Sequence, residues 1–367
     1  MSIVARFVGF DVHAKTISIA VADIDAGEPA FVGQVPNDWS VLMKQLRRLG
    51  PLGSLYCCYE AGPTGYDLQR RLSRVGVKCI VVAPSLIPKR PGDRVKTDRR
   101  DALNLSRLLR SGDLTPVWVP DSETEAIRDM TRGREAAKRL QKVARSQLDK
   151  MLLRHGQRYP GKTKWTKKHD DWIRKQRFEH EAQQYTYDEY VHAVDEATQR
   201  VSRLDAKIAE LVKHWSRWPL VRALQAFRGV QLTTASAVVA ELGDLQRFGS
   251  APELASFVGL TPSESSSGQR TQRGRITRAG NSRVRRLLVE SAWSYRMRAR
   301  KSTAIAKRNE GVSPGVQAIA WKAQVRLCGR YRRLLARGKR KQQVVTAVAR
   351  ELAGFLWSAA QEPELLA

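Results

Sequence analysis

Four acidic residues near the start of the chain, Asp11, Glu60, Asp98 and Asp101, constrain what it can fold into more than any other feature. Asp11 closes the apolar run Phe7-Val8-Gly9-Phe10, and Glu60 closes Leu55-Tyr56-Cys57-Cys58-Tyr59. Asp98 and Asp101 open a helical pattern in Lys96-Thr97-Asp98-Arg99-Arg100-Asp101-Ala102-Leu103. Residues three apart on a helix share a face, so the last two can reach one site. Four carboxylates around one point repel each other unless cations occupy the middle. Two Mg²⁺ ions about 3.5–4 Å apart are the usual arrangement for phosphodiester chemistry. One acid at the end of a strand carries no such meaning; four in this order, in so basic a chain, do.

That basicity is the second constraint. Lys plus Arg number 65 against 36 Asp plus Glu, a net charge of +29. Such an excess points to a polyanionic partner, nucleic acid before an acidic membrane surface. No apolar run approaches the ~18–20 residues of a membrane span, and the N-terminus shows no secretion signal. Cys57, Cys58, Cys79 and Cys328 have no Cys-x-x-Cys spacing. Three lie in apolar strand-like runs, where buried thiols are ordinary. The chain reads as cytoplasmic and reduced, without structural zinc. Its 367 residues leave room for two or three domains.

The N-terminal third alternates short β-rich runs with amphipathic stretches. Val4 to Asp11 and Thr16 to Asp23 read as paired strands joined by the turn His13-Ala14-Lys15. Trp39 to Leu49 reads as a helix, Ser54 to Glu60 as a buried strand, Tyr66 to Val75 as a helix and Val77 to Val82 as a strand. This order implies a mixed sheet covered by helices. A basic loop, Ile87 to Lys96, precedes the acidic helix.

Glu123 to His155 and Ala193 to Trp215 are long, polar and helical, as two antiparallel arms of a hairpin or coiled coil would be. Between them Pro160 to Phe178 carries seven Lys/Arg with Trp165 and Trp172. Basic residues interleaved with aromatics, Lys164 and Trp165 among them, suit a loop that touches a nucleic-acid backbone and stacks on a base. A solvated linker has the same composition. Further on, Leu224 to Ala235 reads as a helix-hairpin-helix around Gly229, with Gln231 where a second glycine is expected. Such a turn presents N–H groups to phosphate; a plain helical corner fits equally. Gly259 to Gly268 reads as a serine-rich loop running into Gln269 to Arg300, which holds ten arginines and a single acid, Glu290. A serine hydroxyl beside Arg270, Arg273, Arg275, Arg278, Arg283, Arg285 and Arg286 suits attack on a phosphate whose oxygens the arginines neutralise. A polar loop before a nucleic-acid-binding helix is the simpler alternative.

Taken together, Gly9-Phe10-Asp11, Tyr59-Glu60-Ala61-Gly62-Pro63-Thr64-Gly65 and Lys96-Thr97-Asp98-Arg99-Arg100-Asp101-Ala102 are one half of a pattern. The other half is Gly259-Leu260-Thr261-Pro262, Ser267-Gly268, Gly274-Arg275-Ile276-Thr277-Arg278-Ala279-Gly280-Asn281 and Arg285-Arg286-Leu287. In order and spacing the chain resembles the DEDD transposases of the insertion-sequence one-ten family and the related Piv DNA invertases. The resemblance implies an α/β RNase H-like (RuvC-like) domain over 1–121 and an α-helical coiled-coil arm with a basic insertion over 122–216. A mainly α-helical transposase domain with a nucleophilic serine would follow over 217–367. Asp11, Glu60, Asp98 and Asp101 match the family's metal-binding tetrad. Ser267, directly before a glycine and five residues after Pro262, matches its serine, with Ser265 and Ser266 close by. The family also implies double-stranded donor and target DNA, guidance by a structured non-coding bridge RNA, and a homo-oligomer, dimer or tetramer.

The expectation is therefore a DNA recombinase that moves its own insertion sequence, using Mg²⁺ and a phosphoserine link to DNA. A covalent intermediate conserves bond energy, which fits the lack of a phosphate-cradling Gly-x-x-x-x-Gly-Lys-Ser/Thr. A junction-resolving nuclease using water would need the carboxylates but not the Ser-Gly-Arg block. A non-catalytic nucleic-acid-binding protein gains nothing from acids facing phosphate. Phe10-Asp11 before a second strand loosely resembles the first phosphate loop of actin-like sugar kinases, but Val12, His13 and Ala14 stand where glycines are needed.

Overall fold

The computed structural model describes residues 4–25, 27–88, 97–267 and 270–363. They fall into two compact units, Met1–Val119 and Pro120–Ala367. Most of the expected basic loop at Ile87 to Lys96 lies outside the described residues.

In the first unit, β1 (Arg6–Val12), β2 (Thr16–Asp23), β3 (Ala30–Pro36), β4 (Leu55–Glu60) and β5 (Lys78–Val82) form one sheet in the order β3-β2-β1-β4-β5. β2 is antiparallel to β1 and β3, while β1, β4 and β5 run parallel. Parallel neighbours need a crossover, and α1 (Trp39–Leu49) and α2 (Asp67–Arg74) supply it. Asp38 caps α1 by accepting from the Ser40 and Val41 N–H groups. Strand alternation sends Val8, Phe10, Cys57, Tyr59 and Val81 to the face covered by Leu42 and Leu46 of α1 and Leu72 of α2. The opposite face carries Cys58 and Val82 against Leu105, Leu108 and Leu109 of α3 (Asp98–Ser111). β1 and β4 are buried on both faces, which is why they read as continuous apolar runs. β3 stands outside the sequence reading: Gly33, Gln34 and the terminal Pro36 interrupt its alternation, and it survives as an edge strand.

The second unit opens with α4 (Ser122–Arg154), α5 (Lys167–Ile173) and α6 (Glu181–Leu211). α4 and α6 run antiparallel: Arg134 pairs with Asp205, the Gln141 amide donates to Thr198 Oγ1 at 2.9 Å, and Leu148 shares a cluster with Tyr187. The buried residues of α6, Tyr187, Val194, Val201 and Ile208, recur every seven residues, the signature of a single seam. α6 starts twelve residues before the expected Ala193, because Tyr187 is its sole buried residue in that stretch and hydrophobic periodicity does not reveal it.

The rest comprises α7 (Trp218–Leu224), α8 (Leu232–Leu242), α9 (Ala251–Phe257), the hairpin β6 (Pro262–Ser267) and β7 (Arg270–Ile276), then α10 (Ser282–Ala292), α11 (Thr303–Asn309), α12 (Pro314–Ala336) and α13 (Lys341–Ala360). α8 is buried on every face from Ala235 to Leu242 and shares one core with Val344, Val348 and Leu352 of α13 and Ile127 of α4. That shared core places the helical arm in the same unit as the C-terminal helices. The Gly229 turn packs inward, since a Cβ there would lie 2.4 Å from the Ser291 carbonyl oxygen. The expected serine-rich loop is a β-hairpin, and the helix after it begins only at Ser282.

Candidate active site

Phe10 pairs with Tyr59 across parallel β1 and β4, so Asp11 and Glu60 leave adjacent strands side by side. Both belong to the α3 face, with Gly9 and Cys58 two residues before them. Helix α3 lies unusually close to β1: a Cβ on Gly9 would come within 2.4 Å of the Ala102 carbonyl oxygen and 2.5 Å of the Ser106 nitrogen. Glycine is therefore required at position 9. The same approach delivers the first turn of α3, capped by Thr97, to the end of β1.

The result is a cluster in which one ligand atom each of Asp11, His13 and Asp98 lies within 4.8 Å of the others. His13 Nε2 stands 3.3 Å from Asp11 Oδ2 and 3.5 Å from Asp98 Oδ1. Gln34 of β3 donates its amide to Asp98 Oδ2 at 3.2 Å and to Ser18 Oγ at 3.3 Å. Ser18 lies opposite Asp11 in the β1–β2 register. Burial pushes the Asp11 carboxyl above the ordinary carboxylate range. His13 draws it down, and the nearby charges of Asp98 and Asp101 push it up again. Asp11 and Asp98 are thus brought together, Asp101 acts on Asp11 from the same helical turn, and Glu60 ends the neighbouring strand outside the three-residue cluster. Carboxylate oxygens with one imidazole suit a hard or borderline divalent cation, and the mutual repulsion calls for one. This DEDD arrangement implies a metal site. His13 and Gln34 had no signal in the sequence reading, His13 passing as a turn residue and Gln34 belonging to the unrecognised β3.

Ser267 ends β6, opposite Arg270 at the tip of the hairpin. The side chains of Ser266, Ser267, Arg270 and Arg273 lie outside the described residues. The base of the hairpin is locked. Gly259 and Gly280 have φ of +65° and +67°, and a Cβ on either would fall within 2.2 Å of a backbone oxygen, that of Ala279 or of Phe257. The Arg285 guanidinium donates to the Val258 and Ala279 carbonyls at 2.8 and 2.9 Å. Asn281 caps α10 and donates its amide to Glu241 Oε2 at 3.0 Å. Glu241, buried on α8, also takes a two-point ion pair from Arg132 at 2.8 and 3.0 Å and faces Arg283 Nε at 3.3 Å. Burial raises the Glu241 carboxyl, but hydrogen bonds from Arg132 and Asn281 outweigh it and hold it below the ordinary range.

Several expected nucleic-acid contacts therefore have partners inside the protein. Arg283 pairs with Glu135 and Glu241, and Arg286 meets Glu135 at 3.0 Å and Glu290 at 2.8 Å. Lys164 pairs with Asp149. Trp165, left-handed at φ 62°, packs against His169 and lies under the Arg145 guanidinium at 4.8 Å. Tyr159 and Trp172 close around the same buried histidine, so the basic insertion is a folded tip with its own small core. Arg275 and Arg278 are exposed.

Comparison with known proteins agrees with both halves. The family model described as "Transposase IS116/IS110/IS902 family" matches residues 221–307, and the DEDD transposase model of the IS110 type matches residues 8–156. The chain is 48% identical to transposase y4qE of Sinorhizobium fredii, over 97% of this chain and 88% of that protein. It is 32% identical to the transposase for insertion sequence element IS1533 of Leptospira borgpetersenii, over 91% of this chain and 98% of the other. No helix among the described residues is long and apolar enough to cross a membrane. With an acidic centre at the strand ends of a DEDD domain and a mainly helical transposase domain following it in sequence, the chain belongs to the IS110/IS116/IS902 family of transposases, DNA phosphodiester-transfer enzymes that mobilise insertion sequences.

Proposed function

We propose that this transposase cuts and rejoins DNA through a covalent phosphoserine at Ser267 and a Mg²⁺-dependent centre formed by Asp11, Glu60, Asp98 and Asp101. The observation that carries the reading is the convergence of Asp11 and Asp98 on one point, a geometry that is repulsive without a cation. A divalent metal held by these carboxylates would supply charge neutralisation at the scissile phosphate and help activate the attacking hydroxyl. Ser267 Oγ forms a bond to phosphorus as the bond to the 3′-oxygen breaks. The serine proton passes to a neighbouring base, and the departing 3′-oxygen takes up a proton. A hydroxyl from another strand then attacks the phosphoserine and releases the serine. Arg275, on β7, and Arg278, just after it, are exposed, which supports a role for them in neutralising DNA phosphate. Guidance by a bridge RNA, and a dimer or tetramer that synapses donor and target, complete the reading. The net charge of +29 supports a large polyanionic load.

The test is to denature cleavage reactions of wild type and Ser267→Ala and look for protein-linked DNA. Adduct with wild type and none with a variant that still binds DNA is the expected result. Undiminished cutting by Ser267→Ala without adduct transfers the chemistry to water. RNA that co-purifies as one species encoded beside the gene tests the guide, and the mass of the active nucleoprotein complex tests assembly.

A further inference from the structure

A cleft of about 880 Å³ opens at the base of the serine hairpin, between β7 and the turn joining α12 to α13. Among the described residues its walls carry six cations, Arg275, Arg278, Arg330, Lys339, Arg340 and Arg350, and no acid. Among the described residues, only Arg330 has an acidic partner nearby, Glu351, at 2.8 Å. Its floor is apolar, with Leu260, Ile276 and Val344 beneath the charges. The contrast with the other large basic cleft, about 750 Å³ along α4, is informative. There Glu135, Asp149 and Glu290 line the same walls as the cations, and Arg286 and Lys164 are paired to them. A surface that concentrates like charge without compensation costs folding energy through self-repulsion and suits a polyanion. Four of the six cations lie on α12, α13 or the turn between them, outside the arginine tract that the sequence singles out.

We propose that this cleft seats the DNA backbone beside the cut, about five base pairs from the scissile phosphate. DNA is the occupant, rather than RNA, because the cleft and Ser267 share one hairpin. Pro262, at the cleft, and Ser267, at the tip, are five steps apart along β6. At roughly 3.3 Å per residue that is about 17 Å, and DNA advances about 3.4 Å per base pair on each strand. The cleft holds the flanking duplex while the hairpin tip meets the phosphate that is broken. The register rests on Ser267 being the nucleophile; the occupancy of the cleft by DNA does not.

The experiment uses the full-length protein with a DNA duplex carrying the cut site. Phosphate-ethylation interference and the salt dependence of binding are read for wild type, Lys339→Ala/Arg340→Ala and Lys339→Arg/Arg340→Lys. Wild type is expected to show interference about four to six nucleotides from the cut, lost in the alanine pair and kept in the charge-conserving pair. If each alanine removes one phosphate contact, the slope of log K against log salt becomes shallower by about 1.8, two contacts at ~0.9 each. Both side chains are exposed, and a thermal melt identical to wild type separates lost contact from lost fold. An unchanged footprint and slope in the alanine pair overturns the proposal. So does a slope that changes for structured RNA and not for DNA. Wild type that shows the interference but forms no serine adduct defeats the nucleophile reading and leaves the cleft as a DNA site. Adduct formation without the interference defeats the cleft and leaves the chemistry.

Discussion

Gly9→Ala tests how the acidic cluster is held together. The added Cβ would meet the Ala102 carbonyl oxygen at 2.4 Å, the Ser106 nitrogen at 2.5 Å and Leu105 Cβ at 2.9 Å. Two of these are backbone atoms, so no rotamer change relieves the clash, and α3 must retreat from β1. Restoring ordinary contact at ~3.4 Å means a shift of about 1 Å, and overpacking of this kind costs about 1–3 kcal/mol. The functional loss should be larger than the loss of fold, because the first turn of α3 carries Asp98 to within reach of Asp11 and His13. A misplacement of about 1 Å at a catalytic centre costs on the order of 10²-fold in rate. Urea unfolding, single-turnover DNA cleavage and Mn²⁺ affinity by electron paramagnetic resonance should therefore change together. The internal control is Gly133→Ala, in the middle of α4 where an added Cβ meets nothing within 4 Å. That substitution should stabilise by up to about 1 kcal/mol through helix propensity. A Gly9→Ala protein with wild-type stability, cleavage and metal affinity would refute the close-approach argument.

Glu241→Gln should loosen the base of the serine hairpin and cost about 2 kcal/mol, less than the ~3–5 of a fully buried pair because Arg132 is half exposed. Since the Glu241 carboxyl is held below its ordinary value, its contribution is present above the unfolded-state carboxylate range and lost as pH falls through its depressed folded value. Acid unfolding followed in both proteins should show a smaller loss of stability in the variant over that window, and identical acid profiles would remove Glu241 from the account. Chelation with EDTA should abolish cleavage while leaving DNA binding in place; full cleavage in EDTA sinks the metal reading. His13→Ala should weaken Mn²⁺ binding by roughly tenfold, as loss of an ordering partner does at metal sites, and an unchanged affinity would make His13 a bystander.

The candidate carboxylates were legible to different depths. Asp11 and Glu60 announce themselves because each closes an apolar run, Asp11 near the end of β1 and Glu60 at the end of β4. Asp98 and Asp101 are legible through helical spacing. Their convergence is not, since nothing in the local pattern says that Gly9 lets α3 lie against β1. His13 and Gln34 join the site through pairing of β2 and β3 with β1, a non-local register that short-range periodicity does not encode. The arginine tract shows the same limit from the other side. Counting charge marks Arg275 through Arg286 alike, yet Arg283, Arg285 and Arg286 are bound to Glu135, Glu241, Glu290 and backbone carbonyls.

What the sequence by itself determined is what depends on composition and local period: the mixed α/β start, the long polar helices, the polyanionic partner and the acids at strand and helix ends. Tertiary structure decided which of those charges remain available. Glu241 is one acid in a small-residue helix until α4 and α10 close on it, and the serine-rich stretch reads as a loop until Gly259 and Gly280 let two chain segments touch. The cations of the cleft come from residues 275 to 350 and become neighbours only when α12 and α13 fold back beside the hairpin. The physical reason is common to all three. Burial and pairing are properties of contacts between distant segments, and a charge acquires its role from the groups that desolvate or oppose it.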